Sequence, residues 1–103
     1  MDNANILPLA SEDFYECAMV FKSVESKHVT LKSDFTTEQI TVSFDHFPDL
    51  ALWQPKDAPF LCIEPWYGHG DPIGFEGDLM EKPDMVHLKA HGLFEAELRI
   101  RIQ

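Results

Sequence analysis

The chain has 103 residues, a formal net charge of −10 at neutral pH and an apolar content of 45%. That length carries one domain with one core, here expected over residues 1–103. The apolar content excludes a disordered polymer. The charge repels phosphate backbones and anionic lipid, so neither nucleic acid nor a membrane surface is an expected partner.

Ser11-Glu12-Asp13-Phe14 offers a serine cap and an acidic first turn, which predicts one helical turn. Residues 17–21, Cys-Ala-Met-Val-Phe, form a short apolar strand. In 28–32, Val29 and Leu31 alternate with His28, Thr30 and Lys32; in 38–44, Ile40, Val42 and Phe44 alternate with Gln39, Thr41 and Ser43. Ser33-Asp34 and Thr36-Thr37 break the two strands and predict a hairpin. Pro48-Asp49 reads as a turn before an apolar strand at 50–53, whose Trp53 is assigned to the core. Pro55-Lys56-Asp57 turns the chain into a strand at 60–64, ended by Pro65, which has no N–H for a ladder. Residues 67–84 hold four glycines and two prolines. They read as one long loop with a helical turn at Asp78-Leu79-Met80-Glu81. The strand 93–102 alternates most clearly, with Phe94, Ala96, Leu98, Ile100 and Ile102 facing in and Glu95, Glu97, Arg99 and Arg101 facing water. The class is all-β and sandwich-like.

No apolar run reaches the length of a membrane span. MDNANILPLA has neither the basic nor the apolar region of a secretory leader, so a cytoplasmic protein is expected. Cys17 and Cys62 each sit in an apolar run and are expected to be buried free thiols. Neither has a second cysteine at metal-ligand spacing. The histidines, at 28, 46, 69, 87 and 91, form no HExxH pattern, and His87 and His91 lie in turn-plus-strand sequence. No metal and no cofactor is expected.

FLCIEPWYGHGD, residues 60–71, carries site-like chemistry. Four apolar residues deliver Glu64 to the end of a strand, with Trp66 and Tyr67 beside it. Aromatic surface meets the apolar C–H faces of a sugar, and a carboxylate meets its hydroxyls. A carboxylate so placed also suits a general base. The alternative is a strand-end glutamate in a salt bridge or at the surface. Asp71 reads as a turn residue or a ligand, and His69 as a loop histidine or a catalytic one. Glu16 is either an exposed strand-start charge or a group pointing into a site.

FLCIEPWYGHGD resembles the C-terminal motif F-x-C-I-E-P-W-Y-G-x-x-D of the aldose 1-epimerase (galactose mutarotase) family, in its LacX-like branch. Upstream, VTLKSDFTTEQITVSFDHFPDLALW is similar to two strands of that branch, a phenylalanine-proline turn and a tryptophan strand. LPLASEDFYECAMVF resembles the segment with an acidic residue before an apolar strand. Downstream, DLMEKPDMVHLKAHGLFEAELRIRI resembles a lysine-containing loop and the closing strand.

The resemblance implies a large antiparallel β-sandwich of the galactose mutarotase type, a supersandwich, of which this chain matches the C-terminal third. It implies interconversion of the anomers of a small-molecule sugar. A glutamate takes the O1 proton and a histidine protonates the ring oxygen. Glu64 falls on the base position. Glu16 falls near a sugar-binding aspartate, one methylene longer than the family residue. Asp71 matches a family aspartate that is structural or supports the sugar-contacting groups from behind, and with Glu16, Trp66 and Tyr67 it makes up the expected substrate-binding set. The histidine acid belongs to the part of the family not matched here. The expectation is therefore an isomerase-type site with its base and without its acid, of little activity alone. A non-catalytic carbohydrate-binding or assembly module is the alternative. Completion is expected from homo-oligomerisation or from a missing N-terminal half.

Overall fold

Period-two alternation and apolar runs build six described strands: β1 (Met19–Phe21), β2 (His28–Ser33), β3 (Thr36–Ser43), β4 (Asp49–Trp53), β5 (Cys62–Trp66) and β6 (Arg99–Ile102). They are seen in a computed structural model that describes residues 5–14, 17–70 and 72–103. The strands form two antiparallel sheets, ordered β1-β4-β5 and β2-β3-β6. This is the expected all-β class. Short 3₁₀ turns occupy Ser11–Phe14 and Leu79–Glu81, where helical turns are predicted.

The first sheet is organised by β4, its central strand. Met19, Val20 and Phe21 of β1 pair with Leu52, Ala51 and Leu50. On the other side, Cys62 through Trp66 of β5 pair with Trp53 back to Asp49. Leu50 and Leu52 are buried in one cluster with Phe14 and Phe44, and Met19, Phe21, Leu61 and Ile63 pack on it. Each such apolar side chain contributes about 1.5–3 kcal/mol when taken fully out of water. Phe44 is fully buried and joins this cluster from the end of β3, where its N–H donates to the Lys27 carbonyl at 2.8 Å. It ties the hairpin to the first sheet.

The hairpin forms as expected, with Val29 opposite Val42 and Leu31 opposite Ile40. Its turn is tighter than the sequence implies, because Ser33 and Thr36 accept hydrogen bonds from the N–H groups of Phe35 and Glu38, both at 3.1 Å. On the wet face the Thr30 and Thr41 hydroxyls meet at 2.8 Å. β6 adds to β3, placing Ile100 opposite Val42 and Ile102 opposite Ile40.

Several expectations change. The strand carrying Glu64 runs through Pro65 to Trp66, with Pro65 opposite Leu50. β5 is an edge strand, where a proline without an N–H is tolerated. Asp49 is the first residue of β4 rather than a turn residue. It is buried, and it accepts the Ser23 N–H at 2.9 Å, holding the chain where it leaves β1. The closing strand is only Arg99–Ile102, and its apolar side is open: Ile100 is 64% and Ile102 80% exposed. Residues 93–98 are instead tethered by other groups. The Phe94 ring stands edge-on to Tyr67 at 5.2 Å, and the Glu97 N–H donates to His46 Nδ1 at 2.9 Å. Both cysteines are free, but Cys17 is exposed, because pairing of β1 begins two residues after it, at Met19.

Phe44→Ala is expected to cost about 3–5 kcal/mol of unfolding free energy. Phe35→Ser, at the exposed hairpin tip, is expected to change it by less than about 0.5 kcal/mol. Urea titration of the two variants beside the parent chain checks the contrast.

Candidate functional site

Alternation along β5 sends Ile63 and Pro65 to one face of the first sheet, and Cys62, Glu64 and Trp66 to the other. Ile63 packs on the core. Glu64 therefore projects from the opposite face, and it is half-buried there rather than in the core or free in bulk water. The register brings three β4 residues onto its face. Trp53 lies opposite Cys62, Ala51 opposite Glu64 and Asp49 opposite Trp66. Val20 of β1 lies beyond Ala51. Ala51 is fully buried and Asp49 nearly so, so the middle of the strip between Val20 and Glu64 is closed to solvent and its exposed surface lies at the margins. An indole stands toward each end of the strip: half-buried Trp66 two residues along β5, and Trp53, 38% exposed, at the diagonal position on β4. Diagonal neighbours on one sheet face lie about 7–8 Å apart, within reach of aromatic side chains.

The apolar run 50–53 predicts a core position for Trp53. The structure corrects this. Leu50 and Leu52 take the core face, so Trp53 shares the face of Glu64. No composition or spacing within 50–53 distinguishes the two placements; only the pairing with β5 does.

The remaining sequence-predicted residues are distributed as follows. Trp66 is beside Glu64. Tyr67, one residue further, has the opposite parity, and its ring packs against Phe47 at 5.5 Å and Phe94 at 5.2 Å. Glu16 and Asp71 lie outside the described residues. Among the described residues, no three histidine, cysteine or carboxylate groups are placed to hold a metal ion. Among the described residues no helix is long and apolar enough to cross a membrane.

The chain leaves β5 through Gly68, at φ +73°, a left-handed conformation that glycine adopts without strain. A side chain at this position would also crowd Met85 Sδ, 3.3 Å from an added Cβ. The turn swings His69 back to Asp84, whose Oδ2 accepts from Nε2 at 3.0 Å; Nδ1 lies 3.2 Å from the Gly70 carbonyl. Each ring nitrogen thus faces an oxygen of the chain, the Asp84 carboxylate on one side and the Gly70 carbonyl on the other. Lys22, just after β1, reaches the same carboxylate oxygen at 3.6 Å. His69 thus fastens the long loop, with both ring nitrogens engaged within the chain. The hydrogen bond from His69 holds the Asp84 carboxyl below its ordinary 3.8; partial desolvation opposes this, and the charges of Lys22 and His69 add to the lowering.

These features define an antiparallel all-β chain that presents a carboxylate between indoles on the free face of one sheet. In sequence it is similar to the chromosomal and plasmid LacX proteins of Lactococcus lactis subsp. lactis, each 32% identical over 87 residues. Those residues are 84% of this chain and 29% of either relative, so the chain spans less than a third of the length of these curated relatives. No family model matches the chain, and no solved structure does.

A folded-state pKa below the unfolded value means that acidification protonates the unfolded chain first. The Asp84 contribution is therefore complete above the ordinary carboxylate pKa and is lost as pH falls through the lowered one. Amide exchange of the loop after β5 is expected to stay slow down to that range and then accelerate ahead of the β4 amides. Asp84→Asn is expected to show the faster exchange already at neutral pH.

Proposed function

We propose that this chain supplies the general-base half of an aldose 1-epimerase-like sugar site, as a LacX-like segment. The observation that carries the reading is the placement of Glu64: half-buried, on the face of the first sheet away from the core cluster, beside an indole. The similarity to LacX proteins supports it. A match of 87 residues within 103 must include residues 17–87, and so Glu64. A hydroxyl proton on the anomeric carbon is what a carboxylate in that position accepts. Trp66 offers the flat surface on which a pyranose ring lies. Tyr67, Glu16 and Asp71 stay in the proposed substrate-binding set on the strength of the resemblance. A net charge of −10 favours a neutral sugar over a phosphorylated one.

A positioned acid contributes about 10²–10⁴ in rate, and here the loop histidine best placed in sequence is engaged by Asp84 and Gly70. Polarimetry on freshly dissolved α-glucose and α-galactose tests the assignment. The chain alone is expected to equilibrate the anomers barely faster than buffer, and Glu64→Gln to remove what acceleration there is. Acceleration by many orders of magnitude would show that an acid is present within the chain. Acceleration that survives Glu64→Gln would remove the base from Glu64.

A second reading concerns assembly and rests on a separate observation. The second sheet has an open apolar face. Ile102 and Ile100 are exposed, Leu98 is 44% and Ile40 39% exposed, and Leu31, Ile40 and Ile102 line a hollow of about 640 Å³. The radius of gyration is 16.1 Å, against about 13 Å for a compact domain of this length. We propose that a second copy of the chain covers this face in solution, sheet on sheet, in a two-fold dimer. Light scattering at micromolar concentration is expected to give twice the chain mass, and Ile102→Glu to return it to one. A monomer mass for the parent chain overturns the dimer.

A further inference from the structure

We infer that Trp53 is a second stacking platform of the Glu64 face, so that a neutral pyranose bound there is held between two indoles rather than on one. The inference rests on the sugar-site reading above and names a contact which that reading does not require. It starts from the register. Leu50 and Leu52 are needed by the core, and a strand cannot send adjacent residues to the same face. Trp53 is therefore on the face of Glu64, opposite Cys62 and diagonal to the carboxylate.

Burial makes the same point. Every other β4 residue is buried, while Trp53 keeps 38% of its surface in water. An indole is the largest apolar side chain, and such exposure at the end of a central strand leaves a flat surface unpartnered. Trp66 stands on the same face, half-buried, at the other end of the strip. The chain has two tryptophans, and both border one glutamate.

The shape selects the ligand. A half-buried carboxylate with an aromatic side chain toward each end of its row suits a small ring with apolar faces and a hydroxylated edge. A pyranose has that form. An open-chain polyol has the same hydroxyls without a fixed apolar face, and a phosphosugar adds charge of the sign that Glu64 already carries.

The two tryptophans are also the reporters. D-galactose and D-glucose are titrated against the full chain and its Trp53→Phe, Trp53→Ala, Trp66→Phe and Glu64→Gln variants, with sorbitol as the open-chain comparison. Tryptophan emission and calorimetry are the readouts, and thermal unfolding confirms that each variant folds. In Trp66→Phe, where Trp53 is the sole reporter, either hexose is expected to shift the emission saturably. Trp53→Ala is expected to weaken binding by about tenfold or more, the scale of losing a buried aromatic anchor. Trp53→Phe, which keeps a ring, is expected to restore most of it, and sorbitol to bind no variant.

Three results overturn the inference, and they separate its failure from that of the underlying site. If Trp53→Ala binds hexose as the parent does while Glu64→Gln is weakened, the platform fails and the site stands. If sorbitol binds as well as the hexoses, stacking on a ring is not the source of affinity. If no hexose binds the parent chain, the platform and the sugar site fail together.

Discussion

The register of β4 between its two neighbours is the constraint on which the rest of this structure depends. Leu50 and Leu52 must both be dry, because with Phe14 and Phe44 they form the buried cluster. A shift of one residue would send both leucines to the far face and bring Asp49, Ala51 and Trp53 into the core, where a carboxylate without a partner is costly. In the observed register Asp49 instead accepts the Ser23 N–H and closes the chain behind β1. Once β4 is fixed, antiparallel pairing leaves no choice for β5. Ile63 joins the core, and Glu64 and Trp66 go to the free face.

The candidate site is thus a by-product of core packing on the opposite side of the same sheet. The Glu64 face gains its shape from alternation: the β4 row that opposes two buried leucines carries Ala51 at its centre and Trp53 at one end, and β5 sets Trp66 opposite Asp49 at the other. The long loop after β5 is then anchored by polar bonds, with His69, Lys22 and Asp84 meeting at one carboxylate oxygen. Most of these groups are exposed, so the anchor is weak beside the core. The loop can open without the sheet doing so, which is the ordinary division between a rigid scaffold and the segments that border a site.

The second sheet shows the opposite balance. Its strands have good register and alternation, yet burial fades along the apolar face from Val42, next to Phe44, to Ile102 at the far end. Local pairing satisfies the backbone there, while hydrophobic burial does not. Sheets of this kind are stable when another layer covers them. The chain spans 29% of the length of the LacX proteins it resembles.

The strands themselves were legible in the sequence, because a period of two in 28–32, 38–44 and 99–102 is local information that survives whatever packs on it, although the same period in 93–98 forms no strand. So were the hairpin, the turns at 11–14 and 78–81, and the placement of a glutamate on a strand ahead of an aromatic pair. The misreadings have one origin. Pro65 inside β5, Asp49 inside β4 and the open side of β6 depend on which strand is an edge, which is central and which face has a partner, and none of these is a property of a short window of residues. Trp53 is the sharpest case. Leu-Ala-Leu-Trp is apolar at every position, so the run determines that a strand is buried but not which of its faces is the core. Pairing with β1 and β5 decided that, by spending Leu50 and Leu52 on the core and leaving the indole beside Glu64.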